Sequence, residues 1–199
     1  MFARSDIEQA NIELEKLITK PKYIQMITTA AILTDLLEEK DIKPIIVGGL
    51  SVEIYTQQDY TTRDIDFVLN GYDVASTLLE LLGFKKEGKD FYRFDIKVAV
   101  EIPGSHLEGD YNRVKTIKTE DDRKVYVISI EDIIMDRLRA AVHWKSGEDR
   151  KWGFRLLLFN YKELDLEYMK TKIVQHPLEL KELTSWIEQA EGAYTDKNE

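Results

Sequence analysis

The chain has no cysteine, which removes disulfides, thiolate zinc sites and cysteine nucleophiles and points to a reducing compartment. Its three histidines, His106, His143 and His176, lie far apart without metal-ligand spacing, and His143 reads as a helix-end packing residue. No run approaches the ~18 apolar residues of a membrane span, and Met1-Phe-Ala-Arg-Ser-Asp-Ile-Glu8 holds no signal-peptide core. Basic residues are in deficit, with 28 Lys plus Arg against 37 Asp plus Glu and a formal charge of −9. A broad phosphate-tracking surface is therefore not expected, although a local basic patch is compatible with that balance. Repeats and low-complexity segments are also missing. Together these absences predict a soluble, cytoplasmic protein without membrane association.

What is present is ordinary in amount and specific in arrangement. The 199 residues, 43% hydrophobic and 33% charged, fit one domain or one domain with an appendage. Ser5-x-x-Glu8 has the form of a capping box ahead of a first helix that runs to Pro21. A second helical pattern covers about 23–39, Pro44–Val47 is a short buried strand, and Leu50–Gln57 fits one or two helical turns. Thr62–Leu69 is the next strand, followed by a helix over 74–82 closed by Gly83. Strands are predicted at 84–87, as one long strand at 90–102, and at 114–118 and 124–128, with Thr119–Asp122 as a hairpin turn and 103–109 as loop. From Ser129, whose side chain and Asp132 form a cap, the pattern is helical over about 130–144, 148–159, 165–174 and 178–191, and the polar tail 193–199 is expected to fray. The organisation predicted is an α/β (α+β) body at 1–128 and a helical part at 129–199 packed on it. Leu156-Leu-Leu-Phe159 and Trp186 in that part suit either an interface or an internal layer.

Two features carry chemistry. The first is the strand that runs into Gly48-Gly49 and then a helix start, which leaves backbone N–H groups of Gly48, Gly49 and Leu50 open to an anion, with the Ser51 hydroxyl beside them. A plain tight turn explains the same glycines, and no Walker or dinucleotide fingerprint is present. The second is Asp64-Ile65-Asp66, with fourteen residues between Gly49 and Asp64. Alternation puts Asp64 and Asp66 on one strand face, about 6–7 Å apart, and Ile65, Phe67 and Leu69 on the other. Like charges so placed repel unless a divalent cation offsets them; solvated acids at a strand start are the plainer alternative. Asp95 and Glu101 share a face of the long strand. Asp95, between Arg93 and Lys97, suits a charge ladder, so Glu101 is the preferred third acid.

In combination, Val47-Gly-Gly49, Asp64-Ile-Asp-Phe67 and Val100-Glu-Ile102, with Thr62 two residues before the acids, resemble the nucleotidyltransferase superfamily related to DNA polymerase beta. The likeness covers about 44–102 and is greatest to small bacterial members linked to toxin–antitoxin and phage-defence operons. It implies a nucleotidyltransferase fold, a mixed β-sheet flanked by helices, in which Asp64, Asp66 and Glu101 hold two Mg2+ ions and act catalytically. It also implies that Gly48, Gly49, Leu50 and Ser51 hold the phosphates of an NTP such as ATP. Tyr60 stands where many members carry Arg, the gap from glycines to acids is longer, and Glu101 replaces the commoner Asp. Further on, 128–144 resembles a helix of small members in which Arg137 reaches a phosphate or base. The alternative has Asp136 and Arg137 as surface charges and Trp144 in the core.

The activity implied moves a nucleoside monophosphate from an NTP to a hydroxyl of a tRNA, a protein or a small molecule such as an aminoglycoside. The rival reading is a binding module with an inactive site: an antitoxin-like partner of a toxin-like protein, a homo-oligomeric scaffold, or a nucleotide sensor.

Overall fold

The computed structural model describes residues 2–195 and divides into two compact units, Met1–Ile128 and Ser129–Glu199. The first unit is built on one seven-stranded sheet. Its strands are β1 (Ile45–Val47), β2 (Asp64–Val68), β3 (Lys85–Glu87), β4 (Asp90–Arg93), β5 (Val98–Gly104), β6 (Lys115–Lys118) and β7 (Lys124–Val127). Their order is β3-β4-β5-β2-β1-β7-β6. The sheet is mixed: β1 runs parallel to β7 and β2 parallel to β5, while β1–β2, β3–β4, β4–β5 and β6–β7 are antiparallel. Helices α1 (Arg4–Glu15), α2 (Lys22–Glu38), α3 (Gly48–Tyr55) and α4 (Tyr72–Leu81) complete this unit.

The central strands are short and apolar because they are covered. Ile45, Ile46, Ile65, Phe67, Val98, Val100, Val125 and Val127 are all buried, each worth about 1.5–3 kcal/mol relative to exposure. Nearly every apolar side chain of α2 is buried too, and the helix packs against β7 and β2. The outer β3 strand carries exposed Lys85, Lys86 and Glu87, the charged type of edge that resists pairing with another chain.

Four expectations need correction. The stretch 90–102 is a hairpin, not one strand: β4 ends at Arg93 and β5 begins at Val98. Asp95 accepts from the Ile96 N–H at 2.9 Å and from Arg93 Nε at 3.0 Å, and Lys97 takes a left-handed φ of 52°, so the chain folds back with no glycine or proline to announce it. Asp95 therefore lies in a turn and shares no strand face with Glu101. Ser5 does not cap α1, because it lies inside the helix and its Oγ bonds Asp6 Oδ1. β5 continues through Pro103 to Gly104, into the expected loop. Finally α8 extends to Thr195, so the start of the expected frayed tail is helical, and 196–199 lie outside the described residues.

The second unit comprises α5 (Ile130–His143), α6 (Gly147–Asn160), α7 (Leu166–Ile173) and α8 (Pro177–Thr195). Ser129 caps α5, its Oγ accepting from the Asp132 N–H at 3.1 Å and donating to Asp132 Oδ2 at 2.8 Å; Ser146 and Asp165 cap α6 and α7 in the same way. Helices α6 and α8 meet closely at Gly153, where a Cβ would lie 2.6 Å from the Trp186 ring. Leu156, Leu157 and Trp186 are buried, whereas Phe159 is exposed. His143 Nε2 lies 2.8 Å from Oε1 of the buried Glu179, a contact that joins α5 to α8. Trp144 is not a core residue: it is 81% exposed. Among the described residues no helix is long and apolar enough to cross a membrane.

Candidate active site

β1 and β2 are antiparallel, with Val47 opposite Asp66, so the glycines that end β1 meet the acids that open β2. Gly48 has φ +59°, and a Cβ there would lie 2.1 Å from Asp66 Oδ2. A Cβ on Gly49 would lie 2.5 Å from Thr62 Oγ1, and that hydroxyl donates to Asp64 Oδ1 at 2.7 Å. The two glycines are thus required by the close approach of Asp66 and of the Thr62–Asp64 pair. A turn that only needed conformational freedom would not need both. The first-turn amides of α3 have no intrahelical acceptor, and the helix starts at the glycines that approach these carboxylates. Leu50 is fully buried, its side chain in the core. The Ser51 hydroxyl, also buried, donates to Gly48 O at 2.7 Å and so braces the turn.

On the other side of Asp66, parallel pairing sets Glu101 opposite it, and Asp64 opposite Ala99. Glu101 is in turn opposite Asp90 on β4. Register partners share a sheet face, so Asp66, Glu101 and Asp90 form a row across three adjacent strands, with Asp64 one step away on the same face. Lys89 Nζ lies 2.6 Å from Glu101 Oε2. A cleft of about 740 Å³ opens on this face beside Asp64, lined among others by Lys22, Arg63, Asp90, Tyr92 and Lys97.

Behind the acids sits a support that the sequence did not single out. Glu53, on α3 and 3% exposed, accepts from the Thr62 N–H at 3.2 Å. It thereby fixes the residue whose hydroxyl holds Asp64. Burial pushes the Glu53 carboxyl up, opposed by the Thr62 N–H and by Lys22. Burial likewise pushes the Lys22 ammonium down, opposed by Asp64 and Glu53. A buried acid with a raised pKa holds its proton more tightly folded than unfolded, so its contribution to stability is present below about 4.5, the ordinary value for a glutamate, and is lost as pH rises through the folded value. Glu53→Gln keeps the acceptor for Thr62 and removes that loss. Its melting temperature should match wild type near pH 4 and exceed it at pH 7. A constant offset across that range would contradict the assignment.

Among the described residues no three His, Asp or Glu side chains converge into a ready metal cage. The donor set nevertheless suits Mg2+, which keeps several waters and is held by one or two carboxylates plus substrate phosphates; the Asp66–Glu101 pair with Asp64 offers hard oxygens of that kind. Arg137 lies in the second unit, where its Nη1 donates to Asp149 Oδ1 at 2.7 Å. Lys89 and Glu53 gave no sequence signal: one is a hairpin-tip lysine, the other follows a helical pattern nine residues before its partner.

The mixed sheet, with a glycine turn interlocked with strand-borne acids, has the nucleotidyltransferase fold. The chain belongs to the family described as "Nucleotidyltransferase of unknown function (DUF6036)", which matches residues 24–195. No curated protein matches it in sequence. Among solved structures it is similar to an antigenic nucleotidyltransferase-like protein from Paracoccidioides brasiliensis, with 15% identity and a TM-score of 0.53 over 79% of this chain and 91% of that one. Two structures of ANT(2'')-Ia are also similar. The solution structure of that antibiotic-resistance factor gives 15% identity and a TM-score of 0.42 over 94% and 96% of the two chains. The crystal structure in complex with adenylyl-2''-tobramycin gives 14% and 0.47 over 82% and 96%.

Proposed function

We propose that this protein is a metal-dependent nucleotidyltransferase that moves a nucleoside monophosphate from an NTP to a hydroxyl acceptor. One observation carries the reading: Gly48 touches Asp66 and Gly49 touches the Thr62–Asp64 pair, while Asp66 is in register with Glu101. A glycine turn thus adjoins two aspartates on one strand face, with Glu101 in register on the next strand, an arrangement that suits a triphosphate and its counter-ions.

Asp64, Asp66 and Glu101 would hold Mg2+, and bound Mg2+ neutralises the triphosphate and polarises the phosphoryl group being transferred. The amides of Gly48, Gly49 and Leu50 orient the β- and γ-phosphates. The acceptor oxygen bonds to the α-phosphorus, the bond from that phosphorus to the bridging oxygen breaks, and pyrophosphate leaves. The hydroxyl proton passes to Glu101. Because this chemistry rests on positioning and charge neutralisation, so small a set of groups suffices. The cleft beside Asp64 has room for the acceptor. A small molecule, an RNA end or a protein side chain all supply the required hydroxyl.

The test is incubation of the protein and Mg2+ with each of four α-labelled NTPs and, in turn, total tRNA, total cell protein and a panel of aminoglycosides. Label should pass to one acceptor class from wild type and to none from Asp66→Asn. Label that no acceptor takes up from any NTP would count against transfer and for a binding module.

A further inference from the structure

We propose that Lys89 is the resident counter-ion of this acidic face and competes with a divalent cation for Glu101, an inference that rests on the reading of Asp66 and Glu101 as metal-binding groups. Asp66, Glu101 and Asp90 stand side by side on β2, β5 and β4, and Glu87 continues the line on β3. Four carboxylates in a row on neighbouring strands repel one another. Glu101 is the most enclosed member for which an ion pair is seen, its side chain 15% exposed.

A cation is delivered there by the tightest possible connection. Glu87 and Asp90 are register partners, so Gly88 and Lys89 alone form the loop between β3 and β4. Gly88 takes φ +64°, the conformation such two-residue hairpins require. From that tip Lys89 Nζ reaches Glu101 Oε2 at 2.6 Å, while its side chain stays 72% exposed. The lysine is therefore close enough to neutralise Glu101 and free enough to leave. One carboxylate oxygen cannot serve the ammonium and a Mg2+ ion equally well, and as the proton acceptor proposed above Glu101 must also be released from it. The hairpin tip thus guards the third acid, and entry of the cation frees the Lys89 ammonium beside the triphosphate.

The test is direct titration of the full chain with Mn2+ alone, without nucleotide, followed by electron paramagnetic resonance of the free ion. Lys89→Met should bind Mn2+ about three- to fivefold more tightly than wild type, the range of an exposed ion pair. Lys89→Arg, which keeps the charge, and Lys85→Met, which removes a nearby charge from the same hairpin, should both stay within twofold. In a Glu101→Gln background the Lys89→Met gain should vanish. If Asp66→Asn weakens Mn2+ binding while Lys89→Met leaves it unchanged, the role of Lys89 is overturned and the metal site stands. If neither variant changes Mn2+ binding, or if wild type and Lys89→Met both fail to bind, both are overturned.

Discussion

Asp66→Asn is expected to lower nucleotidyl transfer by about 10³-fold or more, the scale of losing a group that stabilises transition-state charge. Asp66 is central to the proposed site: Val47 flanks it on β1, Glu101 flanks it on β5, and Gly48 lies against its carboxylate. Asparagine has nearly the same shape, so the fold should persist. Removing one of several neighbouring negative charges should leave the melting temperature unchanged or raised. The pairing of lost transfer with retained stability separates a chemical role from a structural one. Transfer within tenfold of wild type would contradict the role given to Asp66.

Gly48→Ala should damage both stability and activity. The left-handed φ of +59° costs a non-glycine residue about 1–2 kcal/mol. The methyl group would also lie 2.1 Å from Asp66 Oδ2, so the carboxylate or the turn has to move. A shift of that size at a reacting group typically costs about 10²-fold in rate. The melting temperature should fall, and transfer should fall further than the stability loss explains. In an Asp66→Ala background the carboxylate clash is removed and only the contact with Cβ of residue 66 at 3.1 Å remains, so the stability loss on Gly48→Ala should shrink towards the backbone cost, a coupling that a double-mutant cycle reads directly. Equal losses in both backgrounds would show that the glycine serves the turn and not the acid.

The residues of the proposed site stand out because their patterns are local in sequence. Gly48-Gly49, the Asp64–Asp66 alternation and Val100-Glu-Ile102 are each short patterns, and strand periodicity was enough to put both aspartates on one face. Glu101 and Asp95 are separated by a feature that local sequence does not show. Asp95 is set apart by a turn, and Arg93, only 6% exposed, anchors that turn by donating to Leu82 O and Asn11 Oδ1 as well as to Asp95. The alternation of Phe94, Ile96 and Val98 imitated a continuous strand, yet Phe94 is 55% exposed and the period holds only on either side of the reversal. What stayed hidden depends on register. Lys89 reaches Glu101 because β4 pairs with β5, and Glu53 reaches the Thr62 N–H because α3 returns against β2; neither contact has a signature in composition or spacing. Arg137 stands out only through the likeness over 128–144, and its contact with Asp149 on the next helix has no local signature either.

The proposed function requires that the glycine turn and the three acids form a single metal-dependent nucleotide site. Calorimetric titration of the full chain with a non-hydrolysable NTP, in Mg2+ and in a chelator, tests it most directly. Binding should appear with Mg2+, weaken by at least tenfold in the chelator, and be lost with Mg2+ in Asp66→Asn. Nucleotide binding of equal affinity under all three conditions would contradict it.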